Sequence, residues 1–256
     1  MDEPLTFSDA RGHRISAVLS RPGQSTERIA VLCHGFLSSK NSTTNKTLTR
    51  LLNEQGIATF RFDFFGQGES EGRFEDITTS LAMGQAHAAV AHVASAGFTT
   101  IGLVGSSFGG LVAILTAAER KDIACLALKC PVVDFGEELR LEFGPEEMAR
   151  WQATDTIPNI LGGPDRVRLK YRLYEDCLTR VAYEPAARIT APTLIVQGQR
   201  DELVPLHQSR QLFDRLGGPK RLDLLPDADH QFTRGEDFHA MTTAMTDWLV
   251  THLRSH

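Results

Sequence analysis

The sequence predicts an α/β chain, a mostly parallel central sheet with helices on both faces and a small cap insertion, on three observations. Short β-rich runs alternate with helical patterns along most of its length, an order that implies parallel strands joined by helices covering both sides of the sheet. A Gly-x-Ser-x-Gly pentapeptide, Gly105-Ser106-Ser107-Phe108-Gly109, stands at a strand-to-helix junction. The alternation stops in one interval, from about Phe135 to Pro185. At 256 residues one large domain, 1–256, is expected, with 135–185 as an insertion within it.

The β-rich runs are Ile15 to Ser20, Ile29 to Cys33, Ile57 to Asp63, Thr100 to Val104, Ile123 to Lys129, Pro192 to Gln197 and Arg221 to Leu225. Helices are expected between them. Thr44 to Gln55 spaces Leu48, Leu51 and Leu52 on one face, Thr78 to Ser95 is alanine-rich, and a helix starting near Phe108 runs on through Leu111 to Glu119. His207 to Leu216 and Phe238 to Leu253 complete the set. The interval 135–185 is charged, contains Pro145, Pro158, Gly162, Gly163 and Pro164, and has no convincing buried strand. It also carries Phe135, Phe143, Trp151, Ile157, Ile160, Leu161, Tyr171 and Tyr174, more apolar surface than a connector needs. A cap whose apolar side lines a substrate pocket is expected, with Phe135 and Trp151 as substrate-binding residues; the plainer alternative is peripheral packing.

Charge excludes several partner classes. The formal net charge is −5 with both signs interspersed, which offers no electrostatic footprint for nucleic acid or an anionic membrane. No apolar run approaches the roughly 20 residues of a membrane span, and the opening Met1-Asp2-Glu3-Pro4 lacks the features of a signal peptide. A cytoplasmic monomer or homodimer acting on a small molecule is expected. The four cysteines show no metal-type spacing and read as buried thiols, so no metal is expected.

The pentapeptide fits a nucleophile elbow, in which a sharp turn lifts the central Ser Oγ clear of the sheet and aims the next helix's N-terminus at it. A Cβ at 105 or 109 would crowd that turn, and Gly110 extends the clearance. Gly68-Glu69-Ser70-Glu71-Gly72 matches the same pattern. Its two glutamates would oppose an alkoxide and an oxyanion, and several residues separate it from the next helix, so Ser70 reads as part of a glycine-rich loop and Ser107 as the nucleophile.

A serine hydroxyl is a poor nucleophile near neutral pH; it needs a histidine to take its proton and a carboxylate to orient the histidine. Downstream of Ser107, the run 192–197 leads into Asp201 and the run 221–225 leads into His230. Both lie beyond strand C-termini, where an open α/β sheet places its ligands. Asp201 is the expected acid and His230 the expected base, chosen from nine histidines. His34-Gly35-Phe36 follows another strand. The backbone N–H groups of Phe36 and Phe108 are the expected oxyanion donors, His34 is expected to shape its loop, and Phe36 is also expected to touch substrate.

With these residues in place the chain resembles the α/β-hydrolase superfamily over nearly its whole length. The segments His34-Gly35-Phe36, Asp63 to Ser70, Gly105 to Gly110, Pro192 to Asp201 and Asp229-His230 are similar to those of serine aminopeptidase-like hydrolases, a group that includes cinnamoyl and feruloyl esterases. The resemblance implies an α/β-hydrolase fold, no cofactor, and serine-dependent hydrolysis of small carboxylic esters. It gives Ser70 a structural role within the Asp-x-x-Gly-x-Gly-x-Ser loop, where Phe65 stands in place of a usual arginine. A peptidase, a thioesterase or a hydrolase of carbon–carbon bonds would share the machinery, and a non-catalytic ligand-binding module is the alternative of a different class. An exopeptidase should hold a substrate ammonium with carboxylates; Glu137, Glu138, Glu142, Glu146 and Glu147 lie in the cap, where a solvated helix face is the simpler reading.

Overall fold

The computed structural model describes residues 2–159 and 165–255. Met1, Ile160, Leu161, Gly162, Gly163, Pro164 and His256 lie outside the described residues. Eight strands form one sheet: β1 (Asp2–Ser8), β2 (Arg14–Ser20), β3 (Arg28–Cys33), β4 (Ala58–Phe62), β5 (Thr100–Ser106), β6 (Ile123–Lys129), β9 (Thr193–Gly198) and β10 (Lys220–Leu225), in the order β1-β2-β4-β3-β5-β6-β9-β10. From β4 to β10 every pairing is parallel; β1 with β2 and β2 with β4 are antiparallel.

β1 lies outside the runs expected from the sequence. It carries Pro4 and mostly exposed side chains, and both are tolerated because it is the outermost strand, where one row of backbone groups needs no partner. The inner strands are buried on both faces. In β3, Ile29 and Val31 join one apolar cluster while Ala30 and Leu32 join the other, the period-two consequence of a pleated strand between two helical layers. One layer is α1 (Thr43–Glu54) and α8 (Gly235–Arg254), which bring Leu48, Leu52, Met241, Met245 and Leu249 onto the sheet. The other contains α2 (Thr79–Ser95) and α3 (Phe108–Glu119), with Ala82, Ala86, Leu111 and Ile114. The alanines of α2 are there because small side chains let a helix lie close to its neighbours.

The interval after β6 folds as α4 (Phe135–Thr154), a short antiparallel ribbon of β7 (Thr156–Pro158) and β8 (Arg166–Arg168), and two short helices, α5 (Arg172–Cys177) and α6 (Tyr183–Ala186). After β9, α7 (Leu206–Arg215) leads to β10. α4 is broken at Gly144, whose φ of 67° and ψ of 172° are non-helical. Only glycine takes up that conformation cheaply, and Pro145 behind it restarts the helix without a backbone N–H to satisfy. No helix among the described residues is long and apolar enough to cross a membrane.

Candidate active site

Five parallel strands deliver their C-terminal ends to one place. Ser107 follows β5 with φ 53° and ψ −119°, a conformation costly for a residue with a Cβ and held by its surroundings. Its backbone N–H donates to Lys129 O at 3.0 Å, and its carbonyl accepts from Gly110 N at 2.8 Å and Val132 N at 3.1 Å. The glycine requirement is steric: a Cβ at Gly105 would meet the Gly109 carbonyl and Gly110 Cα, and one at Gly109 would run into the carbonyl oxygens of Cys33 and His34. The elbow is wedged between its own helix and β3.

Asp201 and His230 meet across the ends of β9 and β10. His230 Nδ1 lies 2.9 Å from Asp201 Oδ2 and 3.0 Å from Oδ1, and both side chains are nearly inaccessible to solvent. Asp201 also accepts from Gln197 Nε2 at 2.8 Å and from the backbone N–H groups of Leu203 and Val204 at 2.9 and 2.8 Å. Burial alone would raise its carboxyl; the hydrogen bond and charge of His230, then the Val204 N–H and the Cys130 thiol, outweigh it and hold the group below its ordinary value. Asp201 therefore stays a carboxylate. With Asp201 on Nδ1, the Nε2 of His230 is the nitrogen free for a reacting group.

His34 ends β3 as a buried spacer. Its Nδ1 donates to Gly35 O at 2.7 Å and its Nε2 accepts from Phe64 N at 3.1 Å, so both nitrogens are committed. Burial depresses its pKa to about 4, which keeps it neutral. The loop it shapes presses on the elbow: a Cβ on Gly35 would sit 3.5 Å from Ser107 Cβ. Leu37 beyond it has φ 52°. Among the described residues, the backbone N–H groups of Phe36 and Phe108 enter none of the backbone hydrogen bonds that tie turns and helix ends together, and Phe108 opens α3, where the first N–H groups have no intrahelical partner.

Ser107, His230, Phe36 and Phe135 line one cavity of about 210 Å³, closed on the cap side by Glu138 and Leu139. The rings of Phe36, Phe108 and Phe135 touch one another, with centroids 5.2 to 5.5 Å apart. Trp151 does not line the cavity. It is fully buried inside the cap against Phe143, Tyr171 and Tyr174, with its Nε1–H donating to Leu169 O at 2.5 Å. An aromatic residue in a small insertion must first supply packing for that insertion, and Trp151 does so. Ser107 and His230 are not hydrogen-bonded to each other in this geometry; contacts of this type tighten when substrate is bound.

Ser70 has a different setting. Its Oγ donates to Asp63 O at 2.7 Å and accepts from Ser16 N at 2.9 Å. Asp63 in turn accepts from the backbone N–H and the ammonium of Lys40 and from Glu69 N. Gly68 is needed because a Cβ there would strike the Asp63 carboxylate.

Two residues at the site had no sequence signal. Lys129, last in β6, is buried; its Nζ donates to His230 O at 2.7 Å and stands 5.2 Å from the centre of the Phe232 ring. Burial lowers its pKa, and the nearby acids Asp201, Asp229 and Glu202 partly oppose that. Cys130 follows, and with Asp201 and His230 it puts three potential ligand atoms within 4.8 Å. Its thiol is held far above the ordinary range, first by burial and then by Asp201, whereas a metal needs the thiolate. Cys33, Cys125 and Cys177 are likewise buried and free.

An α/β fold with a strained serine after the fifth strand and a buried Asp–His pair after later ones defines a hydrolase of the elbow type. The sequence model of the alpha/beta hydrolase family matches residues 30–241, and the chain belongs to that family. The chain is similar to the mitochondrial palmitoyl-protein thioesterase ABHD10 of Rattus norvegicus, at 22% identity over 85% of this chain and 75% of that protein. Its fold superposes on Est1E from Butyrivibrio proteoclasticus with ferulic acid bound, with a TM-score of 0.85 and 26% identity over 98% of this chain and 99% of that one. Mouse alpha/beta hydrolase domain-containing protein 10 gives a TM-score of 0.80 at 19% identity, covering 97% and 99% of the two chains.

Proposed function

We propose that the protein hydrolyses small carboxylic esters through an acyl-enzyme on Ser107. The observation that carries this reading is the strained Ser107 sharing one cavity with the Asp201–His230 pair. His230 Nε2 takes the Ser107 proton as Oγ attacks the ester carbonyl, and the Phe36 and Phe108 N–H groups hold the oxyanion. Collapse breaks the bond to the alkoxy oxygen, and His230 returns the proton to the departing alcohol. Water then attacks the acyl-enzyme with His230 again as base, releasing the acid and restoring Ser107. Throughout, Asp201 fixes the imidazole tautomer and offsets its positive charge. Phe36 and Phe135 are the apolar contacts for the acyl group.

The cavity's 210 Å³ is below the roughly 300–1,000 Å³ typical of drug-sized ligands, which favours a short or single-ring acyl group. The similarity to Est1E adds aryl-propenoyl esters to the candidates. A thioester substrate is the second reading, favoured by the similarity to a palmitoyl-protein thioesterase. Rates with ethyl esters from acetyl to decanoyl, methyl ferulate and the matching thioesters test both. Fluorophosphonate labelling that survives Ser107→Ala would overturn the assignment of the nucleophile.

A further inference from the structure

Glu138 faces the cavity of Ser107 and His230 from the cap, and one of its carboxyl oxygens has no hydrogen-bond partner among the described residues. Its side chain is 7% exposed, and its Oε2 is buried without a hydrogen-bond partner. The residue lines the same cavity as Ser107 and His230, one helical turn beyond Phe135, whose ring rests on Phe36 and Phe108. The other three cap glutamates near it have ordinary fates: Glu137 binds His207 and Gln208, Glu147 pairs with Arg166, and Glu146 is exposed.

A buried carboxyl with no partner is costly, so folded proteins keep such a group only where something else satisfies it. The groups around Glu138 do not. Glu142, on the same helix and exposed at the cavity, and Asp201, from the loop after β9, both oppose its ionisation, and Cys177 of α5 is a further acidic neighbour. Lys129 and His230 also line the cavity, but the Lys129 ammonium is committed to His230 O and His230 Nδ1 to Asp201. Burial is the largest cause, ahead of Glu142 and Asp201, and pushes the Glu138 carboxyl well above the ordinary carboxylate range. The protonated form of Glu138 is thereby favoured over the carboxylate.

We propose that Glu138, supported by Glu142 at the cavity mouth, is the recognition group for an alkylammonium on the substrate, so that the preferred esters carry a positively charged amino group a few bonds from the carbonyl. This substrate class rests on the serine-hydrolase reading above. Binding is an exchange: the Glu138 proton leaves to solvent as the ammonium takes its place, leaving a carboxylate–ammonium pair with no net change of charge in the pocket. Affinity for a cationic ligand then rises with pH, by at most tenfold per pH unit for the one proton released, while affinity for a neutral ligand of the same shape does not.

The test compares β-alanine ethyl ester with ethyl butanoate, near-isosteres that differ in the ammonium, by pH-stat from about pH 6.5 to about pH 8. The ratio of their kcat/KM values is expected to climb with pH through KM. Glu138→Gln keeps the side chain's shape and removes the exchangeable charge; it is expected to lower that ratio by about tenfold or more and flatten its pH slope. A ratio insensitive to both pH and Glu138→Gln overturns the proposal. So does a preference for ethyl 4-hydroxybutanoate over both esters with no pH slope, which would make Glu138 a neutral hydrogen-bonding acid. A readout free of turnover is calorimetric titration of the wild-type protein with butylammonium chloride in two buffers of different ionisation enthalpy. Proton release that Glu138→Gln abolishes is expected; binding without proton exchange, or no binding, overturns the proposal. Wild-type protein that fails to label with a fluorophosphonate would instead bring down the serine reading, and the calorimetric result would still decide the role of Glu138.

Discussion

Ser107 and Ser70 sit in segments of the same Gly-x-Ser-x-Gly pattern, and the structure gives them opposite surroundings. The Ser107 backbone is bonded at both its N–H and its carbonyl while its side chain points into a cavity. Ser70 is the reverse: its Oγ is consumed by Asp63 O and Ser16 N, and it knots the loop after β4 to β2. The pattern describes only the space that glycines free around a serine. What the serine does depends on whether the next elements satisfy its hydroxyl or leave it to a reactant.

The largest effect that could break this contrast is on turnover. Ser107→Ala is expected to reduce kcat by about 10⁴-fold or more, and the same change at Ser70 to leave fluorophosphonate labelling in place; similar losses at both positions would erase the distinction. Next comes Lys129, whose carbonyl accepts from Ser107 N–H and whose ammonium holds His230 O. Lys129→Met should lower kcat by about tenfold to a hundredfold, with a smaller change in KM, because a shifted imidazole loses its alignment; a pure KM effect would mean that Lys129 binds substrate instead. Ser70→Ala is expected to cost about 1–3 kcal/mol of stability by orphaning the Ser16 N–H and the Asp63 carbonyl, read as a lower midpoint in urea. The smallest effect is with pH. Because the Asp201 carboxyl is held below its ordinary 3.8 when folded, its contribution is complete above that value and is lost as pH falls through the lower folded one. Asp201→Asn should therefore flatten the decline in stability below about pH 4; an unchanged acid limb would show that the carboxyl's partners do not act on it.

Ser107, Asp201 and His230 can be picked out in the sequence because each lies in the short polar stretch that follows a strongly apolar run, a short-range signal. The parallel strands follow from the alternation. β1 is not readable, since an edge strand with Pro4 and exposed residues carries no burial pattern. Nor are the roles of Trp151 and Glu138. Both are ordinary members of the charged and aromatic interval in sequence, and only packing decides that the indole turns inward while a carboxyl from the same helix meets the cavity lined by Ser107 and His230. Lys129 is hidden for a related reason: a lysine ending an apolar run reads as a solvated strand terminus, and its ammonium's partner lies 101 residues away.

The break in α4 at Gly144 divides labour within the cap. Residues 135–143 present Phe135, Glu138, Leu139 and Glu142 to the cavity, and residues 145–154 send Met148 and Trp151 into the cap's own core. Because the glycine's positive φ interrupts the helical hydrogen bonding, the two lengths are joined through side chains, with Phe143 of the first against Trp151 of the second, and not through one continuous helical register. One kinked helix thus serves two surfaces, a cavity wall before the kink and a packed interior after it, which a straight helix of the same length would have to present at one fixed angular spacing.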